Sequence, residues 1–244
     1  MDNIINIHNG AVEKPSGYIR FVCVSDTHSR DFSVPPGDVL IHAGDFTKKG
    51  ALEEIQRFCS VIRRQPHKYK IIIAGNHDSP LDVKKYKRII QKYRNPVEVD
   101  TFEVKRLLNQ FIYLEDSFCE IAGYSIWGTP WTEQHYIGAF TVKDREELAS
   151  KWLQIPQGIN ILVSHSPPRG KLDMSKDGRH VGCESLAKVV ENIKPLVHVF
   201  GHIHEGHGFT CVGGVNYINA SICNNRYQPI YEPIVFDLLA LDQF

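Results

Sequence analysis

The 244-residue sequence predicts an α/β fold with a functional site at the carboxyl ends of its strands. Short apolar segments rich in β-branched residues alternate with segments of helical periodicity. Polar groups directly follow five of the apolar segments, and the strands of an open α/β sheet gather such groups at one edge. The five groups are Asp26-Thr27-His28, Gly44-Asp45, Gly75-Asn76-His77-Asp78, His165 and Gly201-His202-Ile203-His204.

The composition predicts one large domain and a small-molecule partner. Hydrophobic residues make up 42% of the chain, and 28 basic residues balance 28 acidic ones. The chain therefore has no global field to attract a nucleic acid polymer or an anionic membrane. No segment has the pattern of a signal peptide or the length of a membrane span. The six cysteines form no CxxC motif and are predicted to be buried thiols, so we expect a soluble, cytoplasmic protein. The oligomeric state is not predicted.

The first half of the chain delivers three of the polar groups. Residues 1–17 are predicted to be a tail or edge segment, and residues 18–244 a single domain. Residues 19–25 form the first predicted strand. Because alternate residues of an extended chain project the same way, Asp26 and His28 can reach one ion. Residues 38–43 form the strand before Asp45.

A third strand, residues 70–74, leads into the Gly-Asn-His-Asp tetrad. Ordinary turn chemistry would explain such a tetrad equally well if it stood alone. The four other groups favour a site instead. Helices are predicted over residues 50–65, where apolar residues recur at spacings of three and four, and over residues 101–110.

The second half is predicted to add a second sheet and the remaining histidines. Residues 111–114, 117–122 and 124–127 are expected to be antiparallel strands of that sheet. Trp127 and Trp131 flank a rigid turn, and either pack in the core or contact substrate from a surface loop. Strands precede His165 and the Gly-His-x-His turn, at residues 160–164 and 196–200. The prediction is completed by helices over residues 143–153 and 185–193 and by β-structure at residues 215–218 and 230–238.

Seven side chains form the predicted ligand set. Two carboxylates, one amide and four imidazoles, with no thiolate, suit two divalent ions, for which manganese is the first choice and iron or zinc the alternatives. A carboxylate can bridge two cations because it has two oxygens and a charge that offsets their repulsion. Asp45 is predicted to be that bridge. The full set is Asp26, His28, Asp45, Asn76, His165, His202 and His204.

The order of these groups resembles the calcineurin-like metallophosphoesterases over residues 18–238. The resemblance implies a four-layer α/β/β/α sandwich of two mixed β-sheets flanked by helices, with the metal site at the strand carboxyl ends. His77 resembles the family histidine that faces the scissile phosphate without binding metal. The resemblance further implies one metal bound by Asp26, His28, Asp45 and His204, and a second bound by Asp45, Asn76, His165 and His202.

The surrounding residues resemble more narrowly the metallophosphoesterase domain-containing (MPPED) subgroup, which is associated with cyclic-nucleotide phosphodiesterase activity. The resemblance rests on residues 25–30, residues 127–131, and His204-Glu205-Gly206 with Asn219-Ala220-Ser221. One member of that subgroup lacks the first histidine of the Gly-His-x-His block. Because His202 is present here, we expect a fully loaded second site.

This ligand set predicts hydrolysis of a small phosphodiester, such as a cyclic nucleotide. Two cations about 3.5–4 Å apart lower the pKa of a bridging water, whose hydroxide attacks in line. Asn76 and His77 would contact the phosphate, and His77 would protonate the leaving oxygen. Two divalent ions, two aspartates and one hydroxide leave about +1, which matches a diester monoanion.

Two other functions stay open. Protein Ser/Thr phosphatases of the family carry an aspartate, which pairs with the catalytic histidine, and an arginine where Lys48 and Lys49 stand here. That difference weighs against a phosphoprotein phosphatase, although the lysines could meet a dianionic monoester of a nucleotide or a protein. Asp78 is expected to support the loop rather than to orient His77. The third possibility is a metal-binding scaffold for nucleotide or protein with little turnover.

Overall fold

The computed structural model describes residues 6–92 and 98–241. The helices are α1 (Leu52–Arg63), α2 (Tyr86–Ile90), α3 (Thr101–Leu108), α4 (Arg145–Trp152) and α5 (Glu184–Ile193). In chain order the strands are β1 (Asn6–Asn9), β2 (Tyr18–Val24), β3 (Val39–Ala43), β4 (Tyr69–Ile73), β5 (Ile112–Tyr113), β6 (Ser117–Ile121), β7 (Tyr124–Thr129), β8 (Thr132–Glu133), β9 (Thr141–Val142), β10 (Ile161–Ser164), β11 (Val197–Phe200), β12 (Gly208–Val212), β13 (Val215–Asn219) and β14 (Ile234–Leu239).

Two six-stranded mixed sheets form the body of the protein. The first has the order β1-β14-β2-β3-β4-β5, in which β2 to β5 are parallel and β14 and β1 are added antiparallel. The second has the order β12-β13-β11-β10-β7-β6, with four parallel central strands and an antiparallel strand at each edge. Strands β8 and β9 form a short separate ribbon.

Three apolar clusters show how the layers pack. The central cluster joins the two sheets and takes alternate residues of their strands, such as Phe21 and Ile41 from the first and Val163 and Val199 from the second. The opposite face of the first sheet packs on α1, α2 and α3, and that of the second packs on α4 and α5. Because parallel strands are buried on both faces, they are nearly continuous apolar segments. The predicted α/β/β/α fold is confirmed.

One strand joins a different sheet from the one predicted. Residues 111–114 were expected in the second sheet, but Ile112–Tyr113 pairs in parallel with β4 of the first. Because helix α3 lies between β4 and β5 in the chain, the connection between these strands is a crossover, the kind of connection that parallel strands need. The prediction was wrong because short spacing between apolar segments is also typical of consecutive antiparallel strands.

Other elements complete the description. Residues 6–9 of the N-terminal segment form the edge strand β1. None of the helices in the described part of the chain has the length and apolar content to cross a membrane. All six cysteines are free; four are buried, Cys119 is half-buried and Cys211 is exposed. The expectation of buried thiols is thus wrong for Cys211, which lies on the edge strand β12.

Candidate active site

Five strand ends from both sheets meet at one edge of the molecule. The parallel strands β2, β3 and β4 place Asp26, Asp45 and Asn76 side by side. Strands β10 and β11 of the second sheet place His165 and the turn of residues 201–204 opposite them. The structure therefore brings together all seven predicted ligand residues and His77. The expected carboxyl edge is shared by two sheets rather than belonging to one.

Two glycines, Gly75 and Gly201, let their turns lie close to the residues that follow neighbouring strands. A Cβ atom on Gly75 would collide with the carboxylate and backbone nitrogen of Asp45, and one on Gly201 would collide with the side chains of Asp26 and Ser25. Glycine is the residue that permits such contact between a turn and a neighbouring chain. The Gly-Asn-His-Asp and Gly-His-x-His motifs therefore carry steric as well as chemical information.

Several of the candidate site residues have backbone angles in the left-handed region. Asp26, His28, Asp45 and His202 have φ values of 54°, 43°, 56° and 69°. Residues other than glycine rarely adopt this conformation, which costs of order 1–3 kcal/mol and is concentrated at functional sites. Backbone hydrogen bonds hold the turns in place, including Asp26 N to Gly44 O and His28 N to Asp45 O, both 3.0 Å.

The first group consists of Asp26, His28 and His204. The Nε2 atoms of His28 and His204 are 3.2 Å apart, and His204 Nε2 lies 3.4 Å from Asp26 Oδ1. The other Asp26 oxygen, Oδ2, accepts hydrogen bonds from His202 N and the Ser221 hydroxyl. Within the described residues Oδ1 accepts none, although the side chain is fully buried. A buried carboxylate oxygen without a donor is costly unless a cation faces it.

The second group consists of Asp45, Asn76, His165 and His202. His165 Nε2 lies 3.4 Å from Asp45 Oδ2 and 3.0 Å from Asn76 Oδ1. Asp45 and His165 form a compact cluster with His202. Asp45 Oδ2 also lies 3.9 Å from His28 Nε2 in the first group. One carboxylate oxygen therefore faces both groups, as the predicted bridge requires.

Backbone carbonyls orient two of the imidazoles. His165 Nδ1 donates to Ala43 O and His204 Nδ1 donates to Asn224 O, each at 2.9 Å. Because a carbonyl can only accept, the proton of the neutral ring lies on Nδ1 and the lone pair of Nε2 faces the site. Metal-binding histidines are characteristically held this way. Together with the unpartnered oxygen of Asp26, this donor set fits divalent metal ions.

Charge and burial shift the pKa values of these groups strongly in the metal-free protein. Burial lowers the pKa of His28 to about 4 and that of His202 to about 3. Burial also opposes protonation of His165 and His204, but the adjacent carboxylates of Asp45 and Asp26 outweigh it and raise both pKa values to about 9. At neutral pH the metal-free rings of His165 and His204 therefore carry a second proton, on Nε2, that a cation would displace.

His77 lies at the edge of the site in a fixed orientation. Its Nδ1 donates to the carbonyl of Lys48 at 2.8 Å, and its Nε2 lies 4.0 Å from Asp45 Oδ2. About a fifth of its side chain is exposed. The Lys48 carbonyl thus takes the place of the acidic partner that the sequence lacks at this position. Sequence reasoning missed this contact because a carbonyl carries no residue signature.

Asp78 supports the loop, as expected. Its carboxylate accepts hydrogen bonds from the backbone nitrogens of Asp45, Thr47 and Gly75, and from the Thr47 hydroxyl. Burial, and then the charge of Asp45, raise the pKa of Asp78 to about 7. Asp78 makes no hydrogen bond to the His77 ring among these contacts, so it does not orient that imidazole.

The structure places the two tryptophans in different surroundings. Trp127 is 8% exposed and packs in the apolar cluster under α4 and α5, so its assignment as a substrate contact is wrong and the packing alternative holds. Residue 127 lies on β7, not in a surface loop. Trp131 donates from Nε1 to Asp116, packs edge-on against Phe140, and has Lys151 over its ring at 4.1 Å. Its role in substrate binding stays a prediction.

Two tyrosines that sequence reasoning missed contact the site. The Asn76 amide donates to the Tyr136 hydroxyl at 2.8 Å, which turns the Asn76 oxygen towards His165. The ring of Tyr227 lies edge-on to His28, with the centroids 4.7 Å apart, and contacts His204. Both tyrosines lie in irregular segments distant from the motifs, so no periodicity or spacing marked them.

Two facing mixed sheets with aspartate and histidine clusters at their strand ends are features of the metallophosphoesterase class, and the family match supports this class. The chain matches the family model of the calcineurin-like phosphoesterases over residues 19–206 and belongs to that family. It is 44% identical over 236 residues to "Metallophosphoesterase domain-containing protein 1" of Homo sapiens and of Mus musculus. The match covers 92% of this chain and 72% of each relative. It is 37% identical to "UPF0046 protein T07D4.2" of Caenorhabditis elegans over 91% of this chain and 60% of that protein.

A solved structure also shares the fold. It has a TM-score of 0.55 with this chain at 17% identity, covering 83% of this chain and 90% of that one, and this likeness shows the fold alone. Membership of the family indicates a phosphoester hydrolase, and its histidine and aspartate clusters could hold metal. The resemblance predicted from the motifs is confirmed.

Proposed function

We propose that the protein is a binuclear metal-dependent phosphodiesterase that hydrolyses a small phosphodiester, such as a cyclic nucleotide. The observation that carries this proposal is the position of Asp45. Its Oδ2 lies 3.9 Å from His28 in one ligand group and 3.4 Å from His165 in the other. Two groups that share a carboxylate are suited to two neighbouring cations.

The ligand assignments extend from these two groups. Asp26, His28, Asp45 and His204 would hold one ion, and Asp45, Asn76, His165 and His202 the other. When bound, two divalent ions would supply Lewis-acid activation of water and offset the charge of the phosphoryl oxygens. We propose manganese first, with iron or zinc as alternatives, because imidazole and carboxylate donors without thiolate suit these metals.

His77 is proposed to be the general acid. Nδ1–H is committed to the Lys48 carbonyl, so Nε2 is the atom that can pass a proton to the leaving oxygen. Such proton transfer contributes roughly 10² to 10⁴ in rate. Asn76 is proposed to contact the phosphate as well, since its amide is fixed between Tyr136 and His165.

We propose that Tyr227 contributes a binding surface for the substrate outside the phosphate. Its ring is half-buried and lies between the first ligand group and the surface. Lys48 Nζ lies 5.6 Å from the centre of this ring. Aromatic side chains in such positions stack on nucleobases.

The free cysteines support a proposal for the cellular compartment of the protein. All six cysteines are free, as expected in a reducing compartment such as the cytoplasm. We propose a small phosphoester as the partner and expect neither a nucleic acid polymer nor a membrane, because the formal net charge is zero.

Hydrolysis of two synthetic esters tests the proposed function. The purified protein, supplied with manganese, is assayed on bis(p-nitrophenyl) phosphate and on p-nitrophenyl phosphate, before and after chelation. We expect the diester to be preferred and both activities to vanish with chelator. Preference for the monoester would favour a phosphomonoesterase. Failure on both, with elemental analysis showing bound metal, would favour a scaffold.

A further inference from the structure

The carbonyl that orients His77 belongs to a loop that the carboxylate of one glutamate holds in place. Residues 44–51 connect β3 to α1 without regular structure. Glu54 in the first turn of α1 accepts from the backbone nitrogens of Lys49 and Ala51 at 3.0 Å, and from that of Lys48 at 3.3 Å. Three backbone N–H groups of the loop, those of Lys48, Lys49 and Ala51, therefore donate to the same Glu54 carboxylate.

The same carboxylate reaches the turn that carries the first ligand group. The hydroxyl of Ser29 donates to Glu54 Oε1 at 2.8 Å, directly after His28 in the chain. Ser29 has a φ of 62°, in the left-handed region. Its hydroxyl also accepts from Lys48 N at 3.3 Å. Glu54 thus links the turn after β2 with the loop after β3.

We propose that Glu54 is a positioning residue for His77, acting through the Lys48 carbonyl. Glu54 fixes the loop, the loop fixes the carbonyl, and the carbonyl holds Nδ1–H of His77 so that Nε2 faces the reacting phosphate. This series of contacts takes over the orienting role that an aspartate at position 48 or 49 would otherwise have, since both positions are lysines here. This inference rests on the proposed function in that His77 is the general acid.

The neighbouring residue provides a matched control. Glu53 is exposed and lies in the same first turn of α1, so Glu53→Gln removes the same charge from the same helix end. Glu54→Gln keeps the shape of the side chain but replaces one acceptor oxygen by a donor. A general acid matters most for a leaving group that is a strong base and least for p-nitrophenolate. Comparing two leaving groups therefore separates positioning of His77 from loss of metal or fold.

The test measures both variants with manganese on a 3′,5′-cyclic nucleotide, from which a ribose oxygen leaves as an alkoxide, and on bis(p-nitrophenyl) phosphate, from which p-nitrophenolate leaves. For Glu54→Gln we expect kcat to fall about 10-fold on the cyclic nucleotide and less than about 3-fold on the synthetic diester, with KM values unchanged. Ser29→Ala should show a smaller effect in the same direction. Glu53→Gln should match the wild type. In a His77→Ala background, Glu54→Gln should cause no further loss, because the two residues act as one unit.

A second readout does not depend on turnover. Nitrogen-15 NMR of metal-free protein should show His77 as the Nδ1–H tautomer in the wild type and Glu53→Gln, and a tautomer mixture in Glu54→Gln. An equal fall on both substrates, additive losses with His77→Ala, or an unchanged tautomer would overturn the proposal for Glu54. If the wild type hydrolyses neither substrate, the proposed function fails, and the NMR result alone decides the role of Glu54.

Discussion

At the scale of single residues, Asp45 connects the two halves of the site. Its Oδ1 accepts from the backbone nitrogen of His77, and its Oδ2 faces imidazoles of both ligand groups. The side chain is buried, and although burial opposes ionisation, the charge of His165 leads the contributions that lower its pKa. The lowered pKa favours the carboxylate form of Asp45.

We predict that Asp45→Asn reduces turnover to less than a tenth of the wild-type rate and lowers the bound metal per chain. An amide lacks the charge needed to bridge two cations. Hydrolysis of bis(p-nitrophenyl) phosphate and elemental analysis measure the two effects. Asp31→Asn is the control, because the Asp31 side chain is 81% exposed and pairs with Arg57 at the surface. A rate above one tenth would mean that the bridge is misassigned.

We predict that Tyr227→Ala raises KM for a cyclic nucleotide about 10-fold, since stacking contributes roughly 1–3 kcal/mol per base. Tyr227→Phe should keep the wild-type KM because stacking needs the ring and not the hydroxyl. Tyr231→Ala is the control: that ring stacks on His207, not on a ligand histidine. Steady-state kinetics measure KM. Equal KM values for Tyr227→Ala and wild type would remove this ring from the substrate site.

At the scale of secondary structure elements, the turns after the strands were predicted better than the contacts around them. The strands before Asp26, Asp45, Asn76, His165 and His202 could be predicted because parallel strands buried on both faces are continuous apolar segments. Strand β5 was assigned to the wrong sheet because pairing depends on contacts distant in sequence. Backbone acceptors such as those of Ala43, Lys48 and Asn224 have no sequence signature at all, and neither has the burial that hides Trp127.

The histidines after β10 and β11 lead to a prediction about protons. His165 and His204 have pKa values of about 9 without metal, so each must lose a proton to become a ligand. Manganese binding at pH 7 should therefore release about two protons per chain, and affinity should rise from pH 6 to 9 and fall towards pH 5. Calorimetry in buffers of different ionisation enthalpy counts the protons. Affinity that is constant from pH 5 to 9 would contradict this prediction.

At the scale of the whole molecule, both sheets contribute to the ligand groups. The first sheet supplies Asp26, His28, Asp45 and Asn76, and the second supplies His165, His202 and His204. Ligands that bind only the folded state stabilise it. Metal should therefore stabilise the packing of one sheet on the other, in addition to the apolar cluster between them.

We predict that the loss of Tm on chelation grows from pH 7.5 to 9. The folded-state pKa values of His165 and His204 lie above their unfolded value, so their contribution to metal-free stability is complete below about pH 6.5 and is lost as pH rises through about 9. His28 and His202 are already neutral throughout this range. Metal binding strengthens over the same range. Thermal unfolding with manganese and with EDTA gives the difference, which a pH-independent shift would refute.

The hydrogen bond from His165 to Ala43 crosses from one sheet to the other, so it joins parts of the chain that are far apart in the sequence. His28 and His204, which touch in the site, are 176 residues apart in the sequence. A chain that ends before β10 has His28 as one of the four predicted imidazole ligands, and it also lacks β14 of the first sheet. Both ligand groups are therefore complete only when the chain has passed residue 204 and the second sheet packs on the first.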